Sequence, residues 1–545
     1  MKSRLIYVAA TAFIMMVLSL ELAAQEQHHH WHHHYKLIDI GTFGGPKGWL
    51  NHGGDNGAFA NAVGNNRGAF TGFADTSEPD PLKDNPGFCF TDCYVNHAFQ
   101  WQNGVRKDLG VLLADLGFPK DASSATAWIS PNGLIAGTAQ NGVPDPLDLP
   151  WIQERAVLWQ NNQIVDLGTL PEGGYESGSA AINSSGQVTG WAITTNFDAY
   201  SYAFISNTYF PYEFYGSYQT RAFLWQNGVM HNLGTLGGPD AFPVGINERG
   251  QVIGFSYTNA PGSPDNNGCT TPTTGVPPAT DPFFWDKDAG MIDIGTLGGT
   301  CGSPYLINNR GQVVGASNLA GDQVTHAFLW ERETGIFDLG TLGGTDSVAF
   351  AINDAGVIVG GFCCVEGDAL AHTFLWDGNM HDLGVVPGTN CSFPFWINAR
   401  GQIVGIGGND CYDGFLWEDG GPMVDLNTLV SNKSGFSITA PGGQGFAGGI
   451  YINDNGEIFG RGIPAGCNDA AVCGHDFVLI PCDENHPGIE GCDYSRVDAT
   501  PAAQVLAPVA DAVSGTTNEN SARILGLRDW LDGRLSRRQP HSPKD

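Results

Sequence analysis

Basic residues are scarce in this 545-residue chain. Lys and Arg number 25 against 56 Asp and Glu, a formal net charge of −31. Such a balance repels phosphate backbones and anionic headgroups, which excludes nucleic acid as a partner. It leaves cations and basic proteins as attractable species, and it also keeps an exported protein soluble. Charged residues of either sign make up only 15%. Beyond the first 24 residues no apolar run approaches the ~18 residues of a membrane span, so no membrane span is expected there. The signatures of familiar active sites are missing too. There is no serine nucleophile elbow, no His-Glu-x-x-His, no phosphate loop and no dinucleotide fingerprint. These gaps exclude those chemistries but leave open catalysis by carboxylates gathered from distant segments.

Glycine is abundant, at 76 residues, and hydrophobic residues reach 42%. That combination suits short strands joined by many tight turns. Residues 1–24 read as a secretory signal: Lys2 and Arg4, an apolar stretch from Leu5 to Leu20, then Leu22-Ala23-Ala24 with cleavage after Ala24. The mature chain is therefore expected to be secreted, outside the cell or in the periplasm. An even count of 12 cysteines fits an oxidising compartment.

Three short motifs recur in fixed order, eight times each. The first is a turn between strands, as in Ile246-Asn-Glu-Arg-Gly-Gln-Val-Ile-Gly254 and Ile307-Asn-Asn-Arg-Gly-Gln-Val-Val-Gly315. The second is an aromatic strand, as in His97-Ala-Phe-Gln-Trp101 and His326-Ala-Phe-Leu-Trp330. The third runs into a glycine turn, as in Asp338-Leu-Gly-Thr-Leu-Gly-Gly344. Each unit reads as four strands. The Asn-x-x-Gly turn separates strands one and two, and Asn-Gly pairs such as Asn103-Gly104 suit the hairpin between strands three and four. Both faces of strand three are apolar, so each small sheet must be covered on both sides. Stacking like units side by side does this, and a ring leaves only short edges.

The mature chain opens with a lone fourth strand, Tyr35-Lys-Leu-Ile-Asp-Ile-Gly41, while the last unit stops after its third strand at His475–Ile480. The expected fold is therefore all-β: an eight-bladed β-propeller of four-stranded blades, its ring closed by the N-terminal strand pairing with the last blade. An open β-solenoid is the alternative, and it needs capping units rather than complementary ends.

These motifs resemble the HAF-type extracellular repeat family of bacteria, named for the His-Ala-Phe seen at 97–99 and 326–328. The resemblance covers roughly residues 35–480. It implies a secreted bacterial repeat protein and carries no assigned catalytic residues. Pro282 in place of the usual His or Arg, and His475-Asp476-Phe477 in the last unit, depart from the pattern.

Strands that alternate in direction put the loops after strands two and four on one rim. The long insertions, at about 73–96, 138–154, 191–220, 255–281 and 361–371, all follow strand two. That rim is where a repeat scaffold carries binding. Most cysteines map there as well. Expected bridges are Cys89–Cys93, Cys269–Cys301, Cys467–Cys473 and Cys482–Cys492, with Cys363, Cys364, Cys391 and Cys411 forming two more or holding a metal through their thiolates.

The 191–220 insertion is rich in aromatics, among them Tyr200, Tyr202, Tyr209, Tyr212, Tyr215 and Tyr218. Rings with polar tips suit stacking on a glycan or anchoring a protein. The competing reading is an extra hairpin packing its own rings. His28, His29, His30, His32, His33 and His34 flank Trp31 and form a candidate transition-metal site. The competing reading is a tail that hangs free of the ring. Asp410, Asp413 and the carboxylates between Asp75 and Asp84 offer oxygen to calcium without EF-hand spacing. The His or Arg that opens strand three recurs in most units (His97, Arg155, Arg221, His326, His372). A catalytic group is needed once, so these residues are expected to hydrogen-bond the Asp that opens strand four.

The expected organisation is a signal at 1–24, a His-rich tail at 25–34, the repeat domain at 35–480 and a Cys-containing extension with linker and short helix at 481–545. No cofactor is evident, and a monomer is expected. The functional expectation is a secreted scaffold or binding protein that holds a glycan or protein partner on its elaborated rim. An extracellular carbohydrate-cleaving propeller is the alternative.

Overall fold

The computed structural model describes residues 31–49, 62–80, 93–112, 122–147, 152–201, 218–263, 276–363, 371–409, 411, 413–418, 420–431, 435–439 and 448–498. The signal segment, His28–His30, four of the six tyrosines and the expected C-terminal linker and short helix lie outside them. The described residues are all-β apart from two one-turn helices, Leu426–Leu429 and Ala470–Cys473. Six sheets have four antiparallel strands each, and an eight-stranded sheet is two such quartets joined by one parallel pairing, Thr280 with Cys301. We number the quartets one to eight by the order of their first strands. In the fifth, Gly298–Ile307, Val313–Leu319, Thr325–Glu331 and Gly335–Gly340 follow in sequence and in space. In the eighth, the fourth strand comes from the other end of the chain. Tyr35–Asp39 lies antiparallel to His475–Pro481, with Tyr35 opposite Pro481 and Asp39 opposite Phe477.

Burial grades from the first strand of a quartet to the fourth. Every residue of Asp346–Ile352 is buried, whereas Val105–Asp108 is largely exposed. In strand three both faces are covered: Ala327 and Phe328 are each 0% exposed. Burying one such phenylalanine contributes about 1.5–3 kcal/mol. The glycine at the third position of strand two has a packing reason. A Cβ on Gly315 would collide with the carbonyl oxygen of Ser303, and one on Gly360 with that of Val348. Strand one shifts register beside it, between Pro304 and Leu306 and between Ala349 and Ala351. The glycine thus lets the backbones approach at a bulge.

The Asn-x-x-Gly turn does more than reverse the chain. Its glycine takes a left-handed φ, as at Gly250 (76°) and Gly311 (87°). Its asparagine oxygen accepts from two backbone amides of the turn, as Asn308 Oδ1 does from Arg310 and Gln312. The amide nitrogen reaches the next quartet. Asn183 Nδ2 donates to Asn247 O at 3.1 Å, and Asn247 to Asn308 O at 3.0 Å. Asn308 continues to Asn353 O at 3.1 Å, Asn353 to Asn398 O at 3.1 Å and Asn398 to Asn453 O at 2.8 Å. Asn453 then donates to Asn65 O at 3.1 Å, and Asn65 to Ser130 O at 3.2 Å. Ser130 stands where the second quartet lacks the asparagine, and Asn132 Nδ2 supplies the link to Ser184 O at 2.8 Å. A second relay runs alongside through the next residue of each turn. Glu248 N donates to Asn309 Oδ1 and Asn309 N to Asp354 Oδ1, while Asp454 N donates to Asn66 Oδ1.

Serines at the start of strand one join successive quartets. Ser347 Oγ accepts from Ala327 N at 2.9 Å and donates to Gly340 O at 2.6 Å. Ser124, Ser177 and Ser392 do the same between their neighbours.

The two ends of the described chain meet. Trp31–His33 pairs antiparallel with Arg496–Asp498. Residues 31–33 of the histidine tail therefore do not hang free, contrary to expectation. His32 is 1% exposed, and its Nδ1 lies 2.7 Å from Glu418 Oε1. Cys467–Cys473 and Cys482–Cys492 are bridged as expected, and Cys391 pairs with Cys411. Cys93 and Cys301 are disulfide-bonded, while their expected partners Cys89 and Cys269 lie outside the described residues. So does Cys364, together with the side chain of Cys363.

Candidate binding rim

The ends of strand two and the starts of strand three share one rim, which carries the insertions. In the third quartet Val188–Phe197 and Tyr218–Gln226 flank the aromatic insertion. Phe197 is 71% exposed, and its ring meets Tyr218 edge-on at 6.3 Å. Tyr200 and Tyr218 are half-buried against an aromatic cluster that includes Trp191, Phe242 and Phe255. These two tyrosines are partly accessible and spend the rest of their area on packing. Tyr202, Tyr209, Tyr212 and Tyr215 lie outside the described residues.

Both sides of the insertion are tied to one buried carboxyl. Asp240, 0% exposed, accepts from Ser201 Oγ at 2.8 Å and from Thr220 N at 2.7 Å. Burial raises its pKa to about 7 against the lowering effect of these bonds and of Arg221. Tyr257 beside it is pushed well upward by burial and then by Asp240. Other carboxyls on this rim are shifted the same way. Burial takes Glu154 to about 8, and Asp476 to about 8 despite Arg461, Arg106 and Lys47 nearby. Glu154 Oε2 and both oxygens of Asp476 are buried without a hydrogen-bond partner. Glu154, Asp240 and Asp476 sit in three different quartets, so they do not share a single constellation.

The residue opening strand three pairs as expected with the Asp opening strand four. His97 Nδ1 lies 2.8 Å from Asp108, His326 2.9 Å from Asp338, His372 3.1 Å from Asp382 and Arg155 4.0 Å from Asp166. His475 makes the same contact, at 2.9 Å, with Asp39 of the N-terminal strand. Arg221 departs: it donates to Pro239 O and Gln219 Oε1. Each Asp also accepts from the backbone amide two residues on, as Asp338 Oδ1 does from Gly340 N at 2.7 Å. In the fourth quartet the register corrects the reading of Pro282. Ser256 faces Asp281 where Ser317 faces His326, so Asp281 holds the histidine's place and Pro282 the alanine's. Asp281 then meets Asp293, and burial followed by that neighbour raises its pKa to about 6.

Among the described residues no group of three His, Cys, Asp or Glu side chains is placed to hold a metal ion. Asp75 is committed inside its own quartet, accepting from Asn96 Nδ2 at 2.5 Å and Lys47 N at 2.9 Å. The opposite rim carries a cleft of roughly 340 Å³ that sequence reasoning missed. Arg249, Arg310 and Arg332 line it, with Arg332 paired to Asp286 at 2.6 Å and lying over the Phe284 ring. These arginines are 61 and 22 residues apart in the chain, and only the packing of two quartets brings them together.

No protein-family model and no curated protein matches the chain. Among solved structures it is similar to the β-propeller domain of the Trilobed protease from Pyrococcus furiosus, at 9% identity and a TM-score of 0.37, over 72% of this chain and 98% of that one. It is also similar to Pyrococcus horikoshii acylaminoacyl peptidase, at 12% identity and a TM-score of 0.37, over 76% of this chain and 59% of that one. TolB from Acinetobacter baumannii follows at 9% identity and a TM-score of 0.29, over 82% of this chain and 96% of that one.

Proposed function

We propose that the chain is a secreted, HAF-type repeat protein whose eight quartets are the blades of a closed β-propeller, and that it binds a glycan or protein partner on the insertion rim. For the ring, the supporting observation is the asparagine relay: followed from Asn65 through every quartet, with Asn132 supplying the step from the second, it returns to Asn65. The pairing of Tyr35–Asp39 with His475–Pro481 supports the same closure. For export, the disulfides Cys391–Cys411, Cys467–Cys473 and Cys482–Cys492 fit an oxidising compartment.

The observation that carries the binding reading is Phe197. It is a large ring left mostly in solvent, propped edge-on by Tyr218. Ring pairs of this kind contribute about 0.5–1.5 kcal/mol, and their exposed faces stack on sugars or apolar side chains. A glycan-array screen of the mature protein beside Phe197→Ala and Tyr218→Ala tests it. Loss of signal in both variants supports the rim as the site. An unchanged profile removes it. The histidine tract as a transition-metal ligand set is a separate proposal, tested by zinc or nickel titration of the mature chain.

The second reading, a carbohydrate-cleaving enzyme, draws on the raised pKa values of Glu154 and Asp240. Carboxyls held protonated near neutrality are what a general acid requires. Hydrolysis of neutral polysaccharides that persists in Glu154→Gln and Asp240→Asn would remove these two as its source.

A further inference from the structure

On the rim opposite the insertions, two neighbouring quartets have long hairpins between strands three and four. The first and third quartets turn in two residues, between Gln102 and Val105 and between Gln226 and Val229. The fourth and fifth take three, between Asp286 and Gly290 and between Glu331 and Gly335. The arginine-lined cleft of roughly 340 Å³ lies at this junction, bounded by the fifth quartet's loop, by Arg249 and Arg310 of the Asn-x-x-Gly turns and by Phe284. Arg332 ties the two quartets together through Asp286 and covers the Phe284 ring. Sites for small molecules run from about 300 to 1,000 Å³, so the cleft has room for one small ligand.

The donors of the cleft are largely unspent. Acidic residues outnumber basic ones 56 to 25 in the chain. Yet Arg249 and Arg310, both exposed, pair with no carboxylate among the described residues. Arg310 uses only Nε, donating to Gln312 Oε1 at 3.0 Å. The Arg249 side chain makes no hydrogen bond among those residues; its backbone amide bonds Asn247 Oδ1. Gln251 is unspent for a traceable reason. In the third, fifth and seventh quartets the glutamine after the turn donates to the residue that follows the strand-three tryptophan: Gln187 to Gln226, Gln312 to Glu331 and Gln402 to Glu418. In the fourth quartet that residue is Asp286, which accepts instead from Asp288 N, Ala289 N and Arg332. Gln251 Nε2 is therefore left without an acceptor among the described residues, on the wall of the cleft. Of the two glutamates in the lining, Glu331 is filled by Gln312 and Thr334, and Glu333 is exposed on the loop.

We propose that this cleft is a binding site for a small carboxylate ligand, with Arg249 and Arg310 holding the anion and Gln251 Nε2 donating beside them. A guanidinium presents its N–H groups as a planar fork that matches the two oxygens of a carboxylate. Arg332 is committed to Asp286 and serves as a wall of the cleft. A sugar acid and an aliphatic dicarboxylate share the chemistry that this set of donors recognises. The site stands on residues of the fourth and fifth quartets and does not depend on what the insertion rim binds.

Calorimetric titration of the intact mature protein with galacturonate, succinate and galactose tests it, in about 0.15 M salt to screen the chain's long-range negative field. Saturable binding of galacturonate or succinate is expected, and the tighter of the two tells a sugar acid from a dicarboxylate. Galactose, which lacks the carboxylate, should not bind. Arg249→Gln breaks no side-chain contact of the described structure and should weaken binding about tenfold, the loss expected for one charge-assisted contact. An unchanged melting curve reports that this variant is folded. Phe197→Ala, on the other rim, should bind as the parent does. Should Arg249→Gln not fold, Glu333→Gln, which removes a nearby like charge to the ligand, should tighten binding about two- to fivefold. No saturable binding of either acid, galactose bound as tightly as galacturonate, or parental affinity in folded Arg249→Gln overturns the proposal. So does a loss of binding in Phe197→Ala, or an affinity that Glu333→Gln fails to raise.

Discussion

Asn453 donates its side-chain amide to the backbone carbonyl of Asn65 at 3.1 Å, across 388 residues of chain. Its oxygen meanwhile accepts from Asn455 N and Glu457 N within its own turn. Replacing it with alanine removes the donor and leaves the two turn amides unpaired, while the Asn65 carbonyl keeps only Gly68 N. Leaving a buried polar group unsatisfied costs about 1–3 kcal/mol. Asn453→Ala is therefore expected to lower unfolding stability by at least that much in a denaturant titration. A change within error would mean that the relay is incidental.

In the His–Asp pairs the two partners should count unequally. Asp338 accepts from His326 and also from Gly340 N, whereas His326 serves only the pair. The pair itself is partly exposed and is worth about 0.2–1 kcal/mol. His326→Ala should cost that much, and Asp338→Ala about 1 kcal/mol more through the lost turn bond. Thermal unfolding of the two variants decides the order, and equal losses would contradict it.

Stability should fall as pH rises from about 4 to 8. Glu154 and Asp476 have folded-state pKa values raised to about 8, and Asp240 to about 7. The folded state thus keeps protons that the unfolded chain releases. The stabilisation is fully present below the ordinary carboxyl range and is lost as pH climbs through the raised values. Each pH unit crossed costs about 1.4 kcal/mol per carboxyl. Glu154→Gln should match the parent at pH 4 and exceed it at pH 8.5 in a melting series. A parent curve that is flat over this range would refute the assignment.

The Cys482–Cys492 bridge holds the loop that meets the N-terminal tail. Replacing both cysteines with serine should cost about 2–4 kcal/mol. Proteolysis at the tail should rise first, while the middle quartets stay resistant. Digestion that begins in the middle quartets instead would show that the bridge serves some other region.

Much of the architecture is legible because each motif repeats its own chemistry. The glycine of Asn-x-x-Gly announces a left-handed turn, and Gly311 takes one. The fourth strand missing from the last unit points to Tyr35–Asp39, which pairs there. The pairings of Cys467 with Cys473 and Cys482 with Cys492 follow from proximity in sequence. What escapes the sequence depends on partners far along the chain. Nothing near Asn308 announces that its amide bonds Asn353 O, because a turn asparagine is already explained by its own turn. His32 looks like part of a loose tail until Glu418, 386 residues away, comes beside it. Asp281 is hidden because Pro282 precedes the aromatic pair and draws the alignment one residue out of place. The binding site is the least legible part. Exposure of Phe197 depends on which rings pack downward, and aromatic composition alone does not separate the two fates.

The central claim is that the eight quartets close on themselves. The most direct test is one distance, between spin labels placed at Arg67→Cys and Asn455→Cys, in the turns of the first and eighth quartets. Asn455 Nδ2 donates to Asn66 O at 3.1 Å, so the closed ring predicts a single short distance. Sheets stack about 10 Å apart, so an open array of eight would separate the same labels by roughly 70 Å. A short, narrow distribution in dilute protein supports closure. A long or broad one contradicts it.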